Sequence, residues 1–278
     1  MCVIVLLAYG CPIQAIVKAF LLDERTVRDW HKRAGQHCQQ VHEHLVESSQ
    51  HDLEQVQADE IKAKTQKGTL WMAFAIWVPT RLWMGGVVSP KRDMELIQSL
   101  ADKVRQIALC RPLLLAVDGL ASYVSAFRDA FRSKFPRQAG ETGHCKMVSW
   151  SDTYIVQVVK QRVAGVLHVE RRIVQGAQDM IESLIQKTQG KGMINTAFIE
   201  RLNATFRQRI APLARRSRNL AQQAETLVAS MYLIGCFYNF SRRTSGRCVT
   251  IITVCVLSCR LVLLAIAGSN EPRRSPQN

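Results

Sequence analysis

Three acidic residues have the types and flanks to do phosphodiester chemistry. Asp59 lies in Val56-Gln-Ala-Asp-Glu-Ile61, Asp118 in Leu114-Leu-Ala-Val-Asp-Gly119, and Glu200 in Ile199-Glu-Arg-Leu-Asn203. The first two runs are apolar and read as strands, and the third falls on a patterned helix. An ionised aspartate on a buried strand is unfavourable unless a partner neutralises it. A divalent cation is one such partner, and two Mg²⁺ ions held by shared carboxylates can cut or transfer a phosphodiester. Each residue also has a plainer reading. Glu200 can be an ordinary exposed helix residue, Asp118 before Gly119 a turn former, and Asp59 the partner of Lys62 or another base. Glu60 is expected on the opposite face of its strand by the two-residue alternation, and Asp152 is a spare acidic candidate.

The elements that must position these residues follow from hydrophobic period. Residues 53–64 read as a strand carrying Asp59, and residues 69–78 and 81–89 as a hairpin split by Pro79. Trp71, Trp77 and Trp83 there are sheet packing in preference to a platform for bases. Leu96, Ile97, Leu100, Val104 and Ile107 share one face of a helix over 93–109. A short strand over 112–117 delivers Asp118 at its end. Residues 123–131 read as helix, 132–146 as loop, 148–174 as β-rich with a break near Gly165, and 179–189 as helix. From Thr196, Phe198, Leu202, Phe206 and Ile210 form one helical face, while Glu200, Asn203 and Arg207 share another. Residues 222–238 form a closing amphipathic helix. The order predicts an α/β fold with a mixed sheet that begins as an antiparallel meander. Asp59 and Asp118 meet if their strands are neighbours.

Ahead of the sheet, Ile13, Ile16, Val17 and Phe20 mark one helix. Asp23 is a plausible N-cap for a second, with Val27, Trp30 and Ala34 inward and Gly35 at its end. A third is expected over 36–50. Two short helices joined by a tight turn, the second one basic, outline a helix-turn-helix. Arg25 and Arg28 stand where base or phosphate contacts would fall. The pattern alone leaves a solvated basic face equally open. His37, Cys38, His42 and His44 fit no usual ligand spacing and read as exposed helix residues. The apolar start lacks a basic region and reads as a first helix in preference to a signal peptide.

A net charge of +15 favours a polyanionic partner, either nucleic acid or an acidic membrane surface. Nine cysteines without a Cys-x-x-Cys pair argue against a disulfide scaffold or a complete zinc ribbon, and suit thiols in a reducing cytoplasm.

Gln57-Ala-Asp-Glu60, Val117-Asp-Gly119 with Tyr123, Asn195-Thr-Ala-Phe-Ile-Glu-Arg-Leu-Asn203 and the arginines beyond it carry a resemblance. So does Leu22-Asp-Glu-Arg-Thr-Val27 at the amino end. The chain resembles the ribonuclease H-like core of transposases with an Asp-Asp-Glu triad, most closely those of bacterial insertion sequences, over residues 8–240. All three acidic residues in flanks of one family outweigh the plainer readings taken singly. The resemblance implies a helix-turn-helix DNA-binding domain at 1–50, with an upstream part expected to be missing, and a ribonuclease H-like catalytic domain at 51–240. It implies that Asp59, Asp118 and Glu200 hold two Mg²⁺ (or Mn²⁺) ions for strand cleavage and transfer. Arg201 and Arg207 would contact phosphates near the cut. Arg209, Arg215, Arg216 and Arg218 would track the backbone, and Arg25 and Arg28 would serve the reading of terminal repeats. The implied partners are double-stranded DNA and further copies of the chain in synapsis, with no small-molecule substrate and no membrane, in the nucleoid-associated cytoplasm of a bacterium.

Two features depart from that pattern. The turn before the second helix usually holds glycine, where Leu21 stands, and a left-handed non-glycine residue costs about 1–2 kcal/mol. Residues 241–278 combine a basic stretch with an apolar run over 248–267 interrupted by Arg260. A shifted reading frame is favoured for it over a membrane span or a buried element, which makes the chain a degenerate copy. The competing functional readings are a non-catalytic DNA-binding protein and a tail-anchored membrane protein.

Overall fold

The structure, a computed structural model, describes residues 2–66, 68–135, 144–190, 192–214 and 223–241. Three helices open the chain: α1 (Cys2–Ala8), α2 (Ile13–Phe20) and α3 (Glu24–His42), the last continuing into a π-helical turn at Glu43–Glu47. The strands β1 (Gln55–Thr65), β2 (Gly68–Trp77) and β3 (Leu82–Ser89) follow, then α4 (Met94–Ile107), β4 (Leu113–Asp118) and α5 (Ala121–Ala130). Two short strands, β5 (Arg132–Lys134) and β6 (Met147–Ser149), precede the long hairpin of β7 (Thr153–Val163) and β8 (Val166–Gln175). The chain then forms α6 (Gln178–Gln189), α7 (Ala197–Arg209), a 3₁₀ turn at Ala211–Leu213, and α8 (Ala224–Phe240).

Six strands form one mixed sheet in the order β3-β2-β1-β4-β7-β8, and β5 pairs with β6 separately. β1 to β3 are an antiparallel meander, β4 and β7 run parallel to β1, and β8 returns antiparallel to β7. The α/β order expected from the pattern is therefore present, with helices ahead of the sheet. β5 falls within a stretch expected to be loop, and 136–143 lie outside the described residues.

Helices cover both faces at the middle of the sheet, so β4 is buried up to Val117 and β1 is largely buried over Gln55–Ile61, while β8 and the far half of β7 are exposed. On β4, Leu114 and Ala116 pack with Ile181, Leu184 and Ile185 of α6. Leu113, Leu115 and Val117 join the main core with residues of α4 and α5. On β1, Gln55 accepts a hydrogen bond from Thr188 of α6 (2.6 Å). The edge strand β3 is closed by a side chain: Asn239 of α8 accepts from the Trp83 amide (2.8 Å) and donates to its carbonyl (2.9 Å). That amide pairs with the edge much as another strand would. Trp83 is wholly buried, in line with its expected packing role.

Two expectations for the first helices need correction. Gly35 does not end a helix, and no separate helix covers 36–50, because α3 runs unbroken to His42. The glycine answers a close approach. A Cβ on Gly35 would stand 2.5 Å from the Ala229 Cα, so α8 can cross α3 there only without a side chain. The longer helix also turns His42 and Cys38 inward. His42 is wholly buried, its ring is 4.6 Å from that of Trp83, and its Nε2 lies 3.2 Å from the Met84 carbonyl. Burial lowers its pKa to about 4, so the ring is neutral at neutral pH.

Asp23 does cap α3, accepting from the Thr26 amide (3.2 Å). Leu21 occupies the left-handed region (φ 51°) while 93% exposed. Its side chain packs on little, so its backbone strain is uncompensated. Leu21→Gly is expected to stabilise the protein by about 0.5–1.5 kcal/mol, the strain relief less the entropy that glycine adds to the unfolded chain. Urea unfolding with an unchanged slope is the test, and a loss of stability would contradict it.

The tail after residue 241 lies outside the described residues, and with it the three readings of the apolar run. Among the described residues, no helix is long and apolar enough to cross a membrane.

Candidate functional site

The candidate site sits where β4 stops and β1 continues. The parallel register pairs Ala58 with Val117, which sets Asp59 beside Asp118. From β1 the chain turns away through β2, and from β4 it turns the other way through β7. The two strands therefore flank the point at which the sheet order reverses, where open α/β sheets commonly bind ligands. One carboxylate oxygen from each of Asp59, Glu60 and Asp118 lies within 4.8 Å of the others, the only such group of potential metal ligands among the described residues.

Glu60 obeys the alternation and still reaches this group. Asp59 accepts from Asn203 of α7 (2.7 Å). On the other face, Glu60 accepts from the Tyr123 hydroxyl of α5 (2.9 Å) and from Arg92 Nε (2.7 Å). Arg92 also reaches Asp118, at 3.6 Å. Because β4 ends at Asp118, nothing in the sheet separates the two faces beyond that point. Strand alternation alone gave no reason to include Glu60; the adjoining strand's end at Asp118-Gly119 was the usable signal.

The helix that carries Glu200 is fastened by β1 itself. Gln57, wholly buried and two residues before Asp59, accepts from the amides of Phe198 and Ile199 (3.0 Å each). Its Nε2 donates to the Asn195 carbonyl (2.8 Å). Gln57 thus supplies the cap that Thr196, at the N-cap position, does not. From that start, Glu200, Asn203 and Arg207 follow on one helical face. Asn203 contacts Asp59, and the Arg207 charge is felt there too. Glu200 stands apart from the three clustered carboxylates. It accepts from the Thr196 hydroxyl (2.6 Å) and forms an ion pair with Lys160 of β7.

Crowding marks the electrostatics. Burial, then the charges of Glu60 and Asp118, push the Asp59 carboxyl up to about 7. Burial and Asp118 also raise Glu60, against the pull of Tyr123 and Arg92. Burial acts upward on Glu200 as well, but its hydrogen bonds to Lys160 and Thr196 outweigh it and hold the group low. Since Asp59 titrates near 3.8 when unfolded and about 7 when folded, the native state binds the extra proton between those values. Stability from this group is therefore intact below pH 4 and declines as pH rises towards 7. At about 1.4 kcal/mol per unit, reduced for a half-buried group, Asp59→Asn is expected to stabilise the metal-free protein by roughly 1–3 kcal/mol at pH 8. At pH 4 it should change little. Thermal melts at both values check this, and equal effects at the two would refute it.

The donor set suits a hard divalent cation. It consists of carboxylate oxygens, which fit Mg²⁺ or Mn²⁺. Asn203 is wholly buried, and its Oδ1 has no hydrogen-bond partner among the described residues. A buried acceptor left without a partner, on a side chain that touches Asp59, is unfavourable without a bound cation or water.

The remaining candidates are dispersed. Arg25 and Arg28 are exposed and, with His31 and Lys32, line a groove of about 800 Å³ between α3 and the start of α8. Arg28 pairs with Glu24 (2.5 Å). Arg201 is exposed, and Arg209 lies over the Tyr9 ring at 4.5 Å. Arg215, Arg216 and Arg218 fall outside the described residues. Asp152 precedes β7 and its carbonyl accepts from Leu113 at the start of β4, the end of the sheet away from Asp118. No protein-family model matches the chain, and no curated protein matches it in sequence.

Proposed function

We propose that the chain is a DNA transposase of the Asp-Asp-Glu type, with a ribonuclease H-like catalytic core and a helix-turn-helix ahead of it. One observation carries the reading. Asp118, at the end of β4, lies beside Asp59 in the middle of the parallel strand β1, near a helix bearing Glu200, Asn203 and Arg207. The sheet order, a meander joined through its first strand to two parallel strands, agrees with that core. Two Mg²⁺ ions, when bound, would activate the attacking hydroxyl and offset charge on the leaving oxygen. Asp59 and Asp118 would hold them, with Glu200 completing the set. Asn203 orients Asp59 through its amide. Tyr123 and Arg92 hold Glu60 against the other side of the cluster. On this reading Arg207 would meet a phosphate, and Arg25 and Arg28 would meet duplex DNA.

The test is nicking of supercoiled plasmid by the full chain, with Mg²⁺, with Mn²⁺ and with chelator. Nicking that needs the metal supports the reading. One observation favours a second reading, a DNA-binding protein without catalysis: the Glu200 carboxylate is occupied by Lys160 and stands outside the cluster. That reading expects salt-sensitive DNA binding and no nicking with either metal.

A further inference from the structure

Lys160 shares the face of the candidate site. The register pairs Asp118 with Val158 on β7, and Lys160, two residues on, points to the same side. Asp59, Asp118 and Lys160 thus stand on three successive parallel strands, β1, β4 and β7, towards α7. Lys160 forms an ion pair with Glu200 and lies 3.5 Å from the Thr196 hydroxyl.

Folding gives this pair little purpose. The two side chains are 39% and 46% exposed, and ion pairs so exposed contribute little to stability. DNA would meet four carboxylates here, counting Glu60 and Glu200, so a cation on the open side, beyond the metal ions and Arg207, would ease the approach of a phosphate. Arg92 is committed, since it is held by Glu60 and lies 5.1 Å from the Trp71 ring. Lys160 is a compact charge on a flexible stem, able to exchange one anionic partner for another.

We propose that Lys160 is a positioning residue that holds Glu200 away from the metal-binding carboxylates in the DNA-free protein, and moves to a DNA phosphate when substrate binds. This rests on the transposase reading above. It couples the two ligands: DNA draws Lys160 off Glu200, and Glu200 is then free to join Asp59 and Asp118. By reciprocity, metal held by Glu200 favours DNA.

The experiment measures Mn²⁺ affinity of the DNA-free full chain by titration calorimetry, and the salt dependence of duplex DNA binding. Lys160→Met is expected to tighten Mn²⁺ binding about three- to five-fold, the range set by an exposed ion pair. It should lower the salt slope of DNA binding by about one, and Lys160→Arg should restore both. In a Glu200→Gln background, Lys160→Met is expected to leave Mn²⁺ affinity unchanged. An equal gain in that background would make Lys160 a mere background charge and overturn the proposal, as would an unaltered salt slope or unaltered Mn²⁺ affinity in Lys160→Met alone. Asp118→Asn separates the two levels. If Mn²⁺ binding survives it, the metal reading fails and takes this inference with it. If Asp118→Asn abolishes binding while Lys160→Met changes nothing, only the inference fails.

Discussion

Replacing Asp118 by asparagine is expected to remove metal-dependent nicking while leaving DNA affinity intact. Losing an outer hydrogen-bond partner of a metal ligand already costs about 10–100-fold, so loss of a ligating oxygen is expected to exceed about 10³-fold. The fold should tolerate the change. Asp118 Oδ1 accepts from the Leu120 amide (2.9 Å), and asparagine retains that acceptor. What disappears is the negative charge facing Asp59 and Glu60, with the Arg92 contact at 3.6 Å weakened. DNA binding should hold or strengthen, since a carboxylate that repels phosphate is gone. The readout is the nicked fraction of plasmid over time, beside a mobility-shift titration at fixed salt. Nicking at the native rate in Asp118→Asn would remove the transposase reading. Loss of both nicking and binding would instead point to a damaged fold, which a melt would reveal.

Trp83→Ala is expected to destabilise the protein by about 3–5 kcal/mol. Trp83 joins α3, α7 and α8 to the sheet edge: its ring centroid lies 4.6 Å from His42, 5.7 Å from Tyr232 and 5.9 Å from Phe206. The ring fills the notch left by Gly235 of α8, where a Cβ would overlap it. Gly235→Ala should therefore destabilise by about 1–3 kcal/mol through overpacking. With alanine at both positions the added methyl occupies vacated space, so the double variant should be more stable than the sum of the single effects by at least about 0.5 kcal/mol. Urea unfolding of the four proteins gives the cycle, and strict additivity would mean that the ring does not occupy the notch.

Which parts were legible in the chain follows from the range of the interactions involved. β1, β4 and α7 announce themselves through local hydrophobic period, and Asp23 through its place before the helix. The partnership of Asp59 with Asp118 needed only that two strands be neighbours, and β1 and β4 are. Features that depend on distant contacts stayed hidden. Gly35 reads as a helix stop because glycine usually is one, and only Ala229 explains it as a crossing point. His42 reads as exposed on a short helix and is buried on a long one. Gln57 has no local mark of a capping residue, since the amides it holds belong to Phe198 and Ile199. Lys160 lies in a strand whose alternation says which face it takes, but not that Glu200 waits there.

The crossing of α3 and α8 at Gly35 and Ala229 also has a bearing on biosynthesis. At about 5–20 residues per second, a ribosome takes roughly 10–40 s to travel from one helix to the other. Throughout that interval the inward stripe of α3, including Val27, Ala34 and Cys38, lacks its main cover. The amino-terminal helices, though made first, gain this cover only once α8 has been made. An unfinished polypeptide still on the ribosome cannot display them in final form, so maturation of the proposed DNA-reading segment is tied to translation through α8.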